Sequence, residues 1–379
     1  MPAGLNRALL TVAGAIVAIV LAIGISSIAI VAAGASPLDA FEAFFNFGAT
    51  PRAVSTSIAS MFNQAVPLFI SGLAVAVGFR MNLFNIGVEG QYRIAAICAA
   101  YAGSLFVLPG PLQITFIILV AMVVGGLYAL IPAVLKVTRG VNEVISTIML
   151  NYIAISLAAF LVRGPFRGER QPGVLTTNTP LLPDSAHFPN LNDLFGLVGL
   201  PPARGTGLWG FLSVAILLGL VVWLLLERTR FGFDVKASGL NAPAALASGV
   251  DPRRMVISAM VLSGMIAGLV GLPEILGDKF AFGSNFTPQL GFNGIAVALL
   301  GRNKPFGIAI AALLFGFLNR ATGPLQFADV PPSVIAIIQG LIVLLIVIAN
   351  ELTSRIALRQ EERRAARHLG RVTPVKVGA

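Results

Sequence analysis

The chain has 379 residues, 56% hydrophobic and 11% charged, with mean hydropathy +0.88 and net charge +10. A soluble domain carries roughly 25% charged residues, and here apolar runs of membrane length recur without alternation. These features exclude a soluble fold and a β-barrel, and they give an all-α polytopic membrane protein. The lone cysteine, Cys98, excludes an internal disulfide and a cysteine-based metal site, and His187 and His368 sit in polar stretches outside any ligand motif.

The first apolar run, 8–33, follows Arg7 and is longer than the roughly 7–15 residues of a signal-peptide core, so it reads as an uncleaved anchor. Residues 36–54 lie outside, with Phe41, Phe44, Phe45 and Phe47 suited to the interface. A span at 57–79 returns inward, with Pro67 predicting a kink. Then comes GLAVAVGFRMNLFNIGVEGQYR, at 72–93, where Asn82, Asn85, Glu89 and Gln91 fall between two apolar runs beside Gly87 and Gly90. Polar groups and glycines there predict either a broken helix lining a cavity or a short cytoplasmic loop; the spacing leaves both open.

Further spans are predicted at 92–108, 112–135 and 142–162. A proline-rich external loop, 163–208, follows as a cap or docking surface. A span at 209–226 leads to the main cytoplasmic loop, 227–254. Spans at 255–276, a short 288–300, 305–322 and 331–349 complete about ten, and 351–379 is a basic tail. The membrane region is 8–350 of one transmembrane domain, 1–379. This assignment puts 19 of the 26 Lys and Arg on one side, which the positive-inside rule makes cytoplasmic, with both termini. The net charge thus reports topology and contact with membrane lipid, not nucleic acid.

One internal repeat stands out. GLAVAVGFRMNLFNI, from Gly72, aligns with GIAVALLGRNKPFGI, from Gly294, sharing Gly, Ala-Val-Ala, Arg, Phe and Ile. Both copies run in the same direction, and repeats in transporters flank substrate sites. Chance likeness between Ala/Val-rich helices is the competing explanation.

No GxxxxGK[ST] is present, so ATP is not bound here through a P-loop. No paired carboxylates or Ser/His/Asp set supports membrane enzymology. Glu143 suits a helix first turn, whereas Glu89, flanked by glycines, is a functional suspect. Amides inside spans are candidates for a solute path: Asn85, Gln91, Asn142, Asn151 and Asn293, beside Asn63, Gln64, Asn319 and Gln339. Most such amides only tie helices together. Phe84 and Phe292 offer flat faces for a planar ring. In the cytoplasmic loop, Asn241 predicts the cap of a short helix from Ala242 to Ser248, with Pro243 in its first turn and Gly249 after it. Small residues on every side of that helix suit another protein's groove.

NLFNIGVEGQ, NEVISTIMLNYIA, ASGLNAPAALASGV and GFNGIAVALLGRN together resemble ABC-transporter permeases of the branched-chain amino acid and simple-sugar family, most closely its nucleoside-uptake members. The resemblance covers roughly residues 10–350. It implies an importer subunit in a bacterial cytoplasmic membrane that is not itself an enzyme and carries no cofactor. The implied partners are a second homologous permease, a cytoplasmic ATPase holding ATP and Mg²⁺, and an extracytoplasmic solute-binding lipoprotein. It also makes Gly239, Asn241, Ala244, Ala245 and Gly249 the coupling helix that docks on the ATPase, with alternating access as the mechanism. A ribose-like sugar is the alternative solute. A self-sufficient secondary transporter or channel is the alternative class; it would need a paired acid–base relay, which the spans lack.

Overall fold

The computed structural model describes residues 20, 21, 23–169, 176–205 and 207–327, together with 330, 331, 334, 337, 338, 340, 341, 344, 345, 347–349, 352, 355 and 356. Among them the elements are helices, with one isolated β-bridge between Asn178 and Gly283. The start of the span expected at 8–33, much of the one at 331–349, and most of the tail, His368 included, lie outside the described residues.

Among the described residues six helices are long and apolar enough to cross a membrane: Pro51–Arg80, Gly110–Arg139, Glu143–Arg163, Phe211–Arg228, Pro252–Lys279 and Pro305–Gln326. Shorter apolar helices, Ile23–Ala32 (α1) and Leu290–Leu300 (α13), accompany them. The chain is therefore an all-α polytopic membrane protein, with some expected spans much shorter than a bilayer.

Two units divide the chain. The first joins residues up to 45 to those from 321 onward. In it α1, α2 (Pro37–Phe45) and α15 (Thr322–Phe327) gather Ile30, Ala40, Ala321 and Leu325 into a small apolar cluster.

The second unit, 46–320, holds the main core. Its helices are α3 (Pro51–Arg80), α4 (Val88–Ser104), α5 (Gly110–Arg139), α6 (Glu143–Arg163), α7 (Leu194–Leu197), α8 (Phe211–Arg228), α9 (Arg230–Leu240), α10 (Ala242–Ala247), α11 (Pro252–Gly268), α12 (Leu272–Glu274), α13 and α14 (Pro305–Arg320). A π-helical turn, Ile275–Lys279, follows α12. The helix α3 is the axis: it runs unbroken through Pro67 and buries an unbroken row from Ile70 to Gly78. It packs on α8, α11, α13 and α14. By contrast α5, α6 and α8 turn large apolar side chains outward, among them Leu119, Leu127, Ile153, Phe160, Ile216 and Leu220. Such a surface is suited to lipid or to another transmembrane subunit.

Small residues bring the backbones together. A Cβ on Gly125 would come 2.3 Å from the Gly264 oxygen, and one on Gly268 would come 2.1 Å from the Ala121 oxygen. The α5–α11 crossing is thus a small-xxx-small interface, in which dispersion between closely packed backbones supplies the attraction that the hydrophobic effect cannot supply in lipid.

The expected external loop is anchored rather than loose. Its backbone N–H groups at Thr179, Leu182 and Phe188 donate to Phe282, Phe280 and Leu276, and Asn63 bridges Gly207 and Trp209. At the opposite end Met81, Leu83, Ala133, Val235, Ala259 and Met260 share one cluster. The ends of α3 and α5, part of α9 and the first half of α11 therefore meet there; Arg80, Lys136 and Arg139 end α3 and α5, Arg228 ends α8, and Lys236 lies within α9.

The repeat has a structural counterpart. Both α3 and α13 end in left-handed residues, Asn82 (φ 59°) in one copy and Arg302 and Asn303 (φ 53° and 55°) in the other. The matched Arg80 and Arg302 line one cavity, so both copies leave at the same end. The copies also touch: Gly72 faces Val297 and Ile308, and Gly294 faces Ser71.

Candidate functional sites

The break between α3 and α4 is built from caps. Asn82 N–H donates to the Phe79 oxygen and Leu83 N–H to the Gly78 oxygen, both at 3.0 Å. This is a Schellman turn with Asn in the left-handed position. Helix α4 begins at Val88, so Glu89 and Gln91 sit in its first turn and only 81–87 form the loop. Gly87, before that turn, has no side chain to cap it. Distant amides supply the acceptors. Asn151 Oδ1 accepts from Gly90 N–H (2.8 Å), while its Nδ2 donates to the Ile86 oxygen (3.0 Å). Asn85 Oδ1 accepts from Gly87 N–H (3.1 Å). Asn85 and Gln91 exchange two 3.0 Å amide hydrogen bonds. Asn85 Nδ2 also donates to Ser263 (2.8 Å), whose hydroxyl donates to the Ala74 oxygen (2.6 Å).

Glu89 is 1% exposed and performs the same service for another helix. Its Oε1 accepts from Gln289 N–H and its Oε2 from Gly291 N–H, both at 3.0 Å. These are orphan donors at the start of α13, and a carboxylate there also meets the positive end of the helix dipole. Arg93 Nε donates to Glu89 at 2.9 Å, and the Tyr92 hydroxyl lies within hydrogen-bond distance of both Glu89 (3.0 Å) and the Thr287 oxygen (2.9 Å). Glycine is required where the elements meet, because a Cβ on Gly291 would come 2.3 Å from the Glu89 nitrogen.

The expected solute-path residues thus divide. Asn85, Glu89, Gln91 and Asn151 form one buried cluster, each using its polar atoms within it. Phe84 lies at the rim, 45% exposed, edge-on to Phe79 at 4.7 Å. Asn142 is the exposed N-cap of α6, accepting from Val144 and Ile145. Asn293 is half-buried in the first turns of α13, beside exposed Phe292. Sequence reasoning missed Ser263, Tyr92 and the backbone of Gln289 and Gly291. Tyr92 could have been found, since it follows Glu89 by three residues on the same helix, but nothing local marks Ser263, Gln289 or Gly291, which lie 178, 200 and 202 residues from their partners. Among the described residues no group of three or more His, Cys, Asp or Glu gathers as for a metal ion.

The cytoplasmic-loop prediction has a well-defined form. Asn241 ends α9 and caps α10, its Oδ1 accepting from Ala244 N–H at 3.0 Å. Pro243 lies in the first turn, and Gly249 (φ 85°) follows the last. Ala245 is buried, while Ala242, Ala244, Leu246 and Ala247 are exposed. Gly239, near the end of α9, abuts the break: a Cβ there would lie 2.7 Å from the Met81 carbonyl carbon. The elbow of α9 and α10 therefore bears directly on the segment where α3 ends.

The profile of the family described as branched-chain amino acid transport system / permease component matches residues 57–347. The chain belongs to this family. This permease is 31% identical over 338 residues to the glucose ABC transporter permease protein TsgB13 of Haloferax volcanii, covering 88% of the chain and 86% of the relative. It is 30% identical over 341 residues to the guanosine ABC transporter permease protein NupP of Bacillus subtilis, covering 87% and 91%. It is 31% identical over 339 residues to the nucleoside ABC transporter permease protein NupB of Lactococcus lactis, covering 88% and 90%. NupQ and NupC, second permeases named in those two bacteria, match at 26% identity. No solved structure matches the permease. It is a multi-pass transport subunit of the ABC class, not itself an enzyme.

Proposed function

We propose that this permease carries a nucleoside inward by alternating access, powered by an ATPase subunit that grips α10. Three lines support the solute. Two relatives are named for guanosine or nucleosides. The polar side chains reachable beside the break, Asn142 and Asn293, are neutral amides, which suit an uncharged solute rich in donors and acceptors. Phe84 and Phe292 present flat, exposed faces on which a base can stack. A simple sugar is the second reading, favoured by the relative named for glucose.

The observation that carries the mechanism is the abutment of Gly239 on Arg80 and Met81. A push on α10 passes through α9 to the end of α3 without an intervening loop. In this reading the solute path runs beside the break. Asn85, Glu89, Gln91 and Asn151 hold its wall, and Phe84, Asn142 and Asn293 are the reachable groups. Of the coupling-helix residues, Asn241, Ala244 and Gly249 form the exposed coupling surface, and Gly239 and Ala245 pack behind it. The partners are a second homologous permease, as the paired Nup names suggest, a cytoplasmic ATPase with ATP and Mg²⁺, and an extracytoplasmic binding lipoprotein. The basic end of the 46–320 unit faces the cytoplasm, as do both termini.

Competition against labelled guanosine uptake, with nucleosides, free bases, ribose and glucose as competitors, tests the solute. Nucleosides should compete best. Uptake of labelled glucose or ribose with no uptake of labelled guanosine would establish the second reading instead.

A further inference from the structure

Residues 283–289 descend into the membrane without forming a helix. Their upper end is tied to the 163–208 loop: Gly283 bridges to Asn178, and Ser284 N–H donates to the Thr177 oxygen at 2.9 Å. Their lower end meets α3, where Ser71 Oγ donates to the Leu290 oxygen at 2.9 Å. Two helices measure the depth of that contact. Helix α3 rises about 14 Å from Ser71 to Arg80, and α13 rises about 15 Å from Leu290 to Leu300. Half of a ~30 Å hydrocarbon core is about the same length. Leu290 therefore lies near the membrane midplane, and irregular backbone leads to it.

Polar groups are displayed at that depth. Gln289 and Phe292 are exposed, and Asn293 is half-buried. Their spacing puts the three on one side of the first turn of α13, while Leu290, Gly291, Gly294, Val297 and Ala298 are buried on the other. The Gln289 backbone is fixed. Its N–H donates to Glu89 at 3.0 Å, and its φ of 65° is a left-handed conformation uncommon outside glycine. The side-chain amides of Gln289 and Asn293 make no hydrogen bond among the described residues. Amides without partners are costly against hydrocarbon, and irregular backbone at this depth is tolerated only under protein or beside water.

We propose that Gln289, Phe292 and Asn293 form a midplane subsite for the solute, a proposal that rests on the nucleoside reading above. The base stacks on Phe292, and the two amides, each both donor and acceptor, pair with its edge and with the ribose hydroxyls. Lipid offers these amides nothing, whereas a nucleoside satisfies both and covers the ring between them. Glu89 is then a positioning residue: by holding the Gln289 N–H it sets where the amide of that residue points.

The test places single cysteines, Gln289→Cys and Asn293→Cys, in a Cys98→Ala background of the full chain in membranes with its partner subunits. Both should react with a small hydrophilic thiol reagent, and Ile216→Cys, on the apolar outer face of α8, should not. Saturating guanosine should slow both reactions at least about tenfold, and glucose should not. In uptake, Gln289→Met keeps the N–H on Glu89, so it should raise the guanosine KM at least about fivefold with the melting temperature unchanged. Phe292→Ala should do the same, and Phe292→Tyr should restore the wild-type value. Cysteines inert to the reagent would overturn the proposal, because lipid or the second permease would then cover this face. Reactive cysteines that guanosine leaves unprotected, in membranes that still take up guanosine, would overturn the subsite and leave the nucleoside reading standing. Protection by glucose or ribose but not by guanosine would overturn the nucleoside reading itself, and the proposal with it.

Discussion

At Glu89 one carboxylate serves Arg93, Tyr92 and the two backbone donors at the start of α13. Replacing it by Gln keeps one acceptor oxygen, but sets an amide N–H₂ against donors that the other oxygen served and leaves Arg93 without its counter-charge. Breaking a buried pair in this way costs about 3–5 kcal/mol. Glu89→Gln should therefore lower the melting temperature in detergent as well as uptake. Asn85→Ala strips the acceptor from Gly87 N–H and the partner from Gln91, at about 1–3 kcal/mol. Its loss of uptake should be accompanied by the smaller shift in melting. Normal melting and uptake in both variants would remove the cluster from the account. The presence of these polar residues was legible in the sequence, because amides and glycines between apolar runs need an explanation. Their partners were not. Glu89 reaches α13 and Asn151 reaches α4 across the fold, and no local pattern encodes such distances. The sequence therefore suggested groups awaiting a solute, where the structure has groups that cap helices whose first residues cannot cap themselves.

At the scale of elements, α10 was the most legible piece. An Asn cap, a first-turn proline and a left-handed glycine are local chemistry, and the helix lies at Ala242–Ala247 as their spacing predicts. The structure adds which alanine is free. Ala244 is exposed and Ala245 buried. Ala244→Glu should leave the permease folded but release the ATPase in a pull-down, whereas Ala245→Glu should overpack the elbow and destabilise it by about 1–3 kcal/mol. Equal behaviour of the two variants would refute the assigned faces. The α5–α11 crossing was less legible, because glycines in apolar helices are common and only a partner helix shows which ones matter. Gly268→Leu has no room at the Ala121 oxygen. It should separate the helices and reduce the yield of folded protein in fluorescence size-exclusion chromatography, while Gly196→Leu, with open space around its Cβ position, should not.

For the whole molecule, the charge asymmetry of the sequence has a physical counterpart in the basic helix ends gathered around Met81 and Val235. Cysteines at exposed Asp184 and Ser248, in a Cys98→Ala background, should react with an impermeant thiol reagent from outside and only after lysis, respectively; the opposite pattern would invert the topology. The short run at 288–300 was legible as short, and α13 is an 11-residue helix, too short to cross alone; what the sequence did not show is that Glu89 caps its buried start. In the proposed mechanism, force applied at α10 by a partner's ATP cycle opens a solute path beside the break. Nucleoside uptake into proteoliposomes holding this permease with its second permease, ATPase and binding protein measures that coupling. Uptake should require ATP and fall at least about tenfold in Ala244→Glu, a loss of roughly 1.4 kcal/mol or more of coupling. ATP-independent uptake by this chain alone, or full uptake by Ala244→Glu, would contradict it.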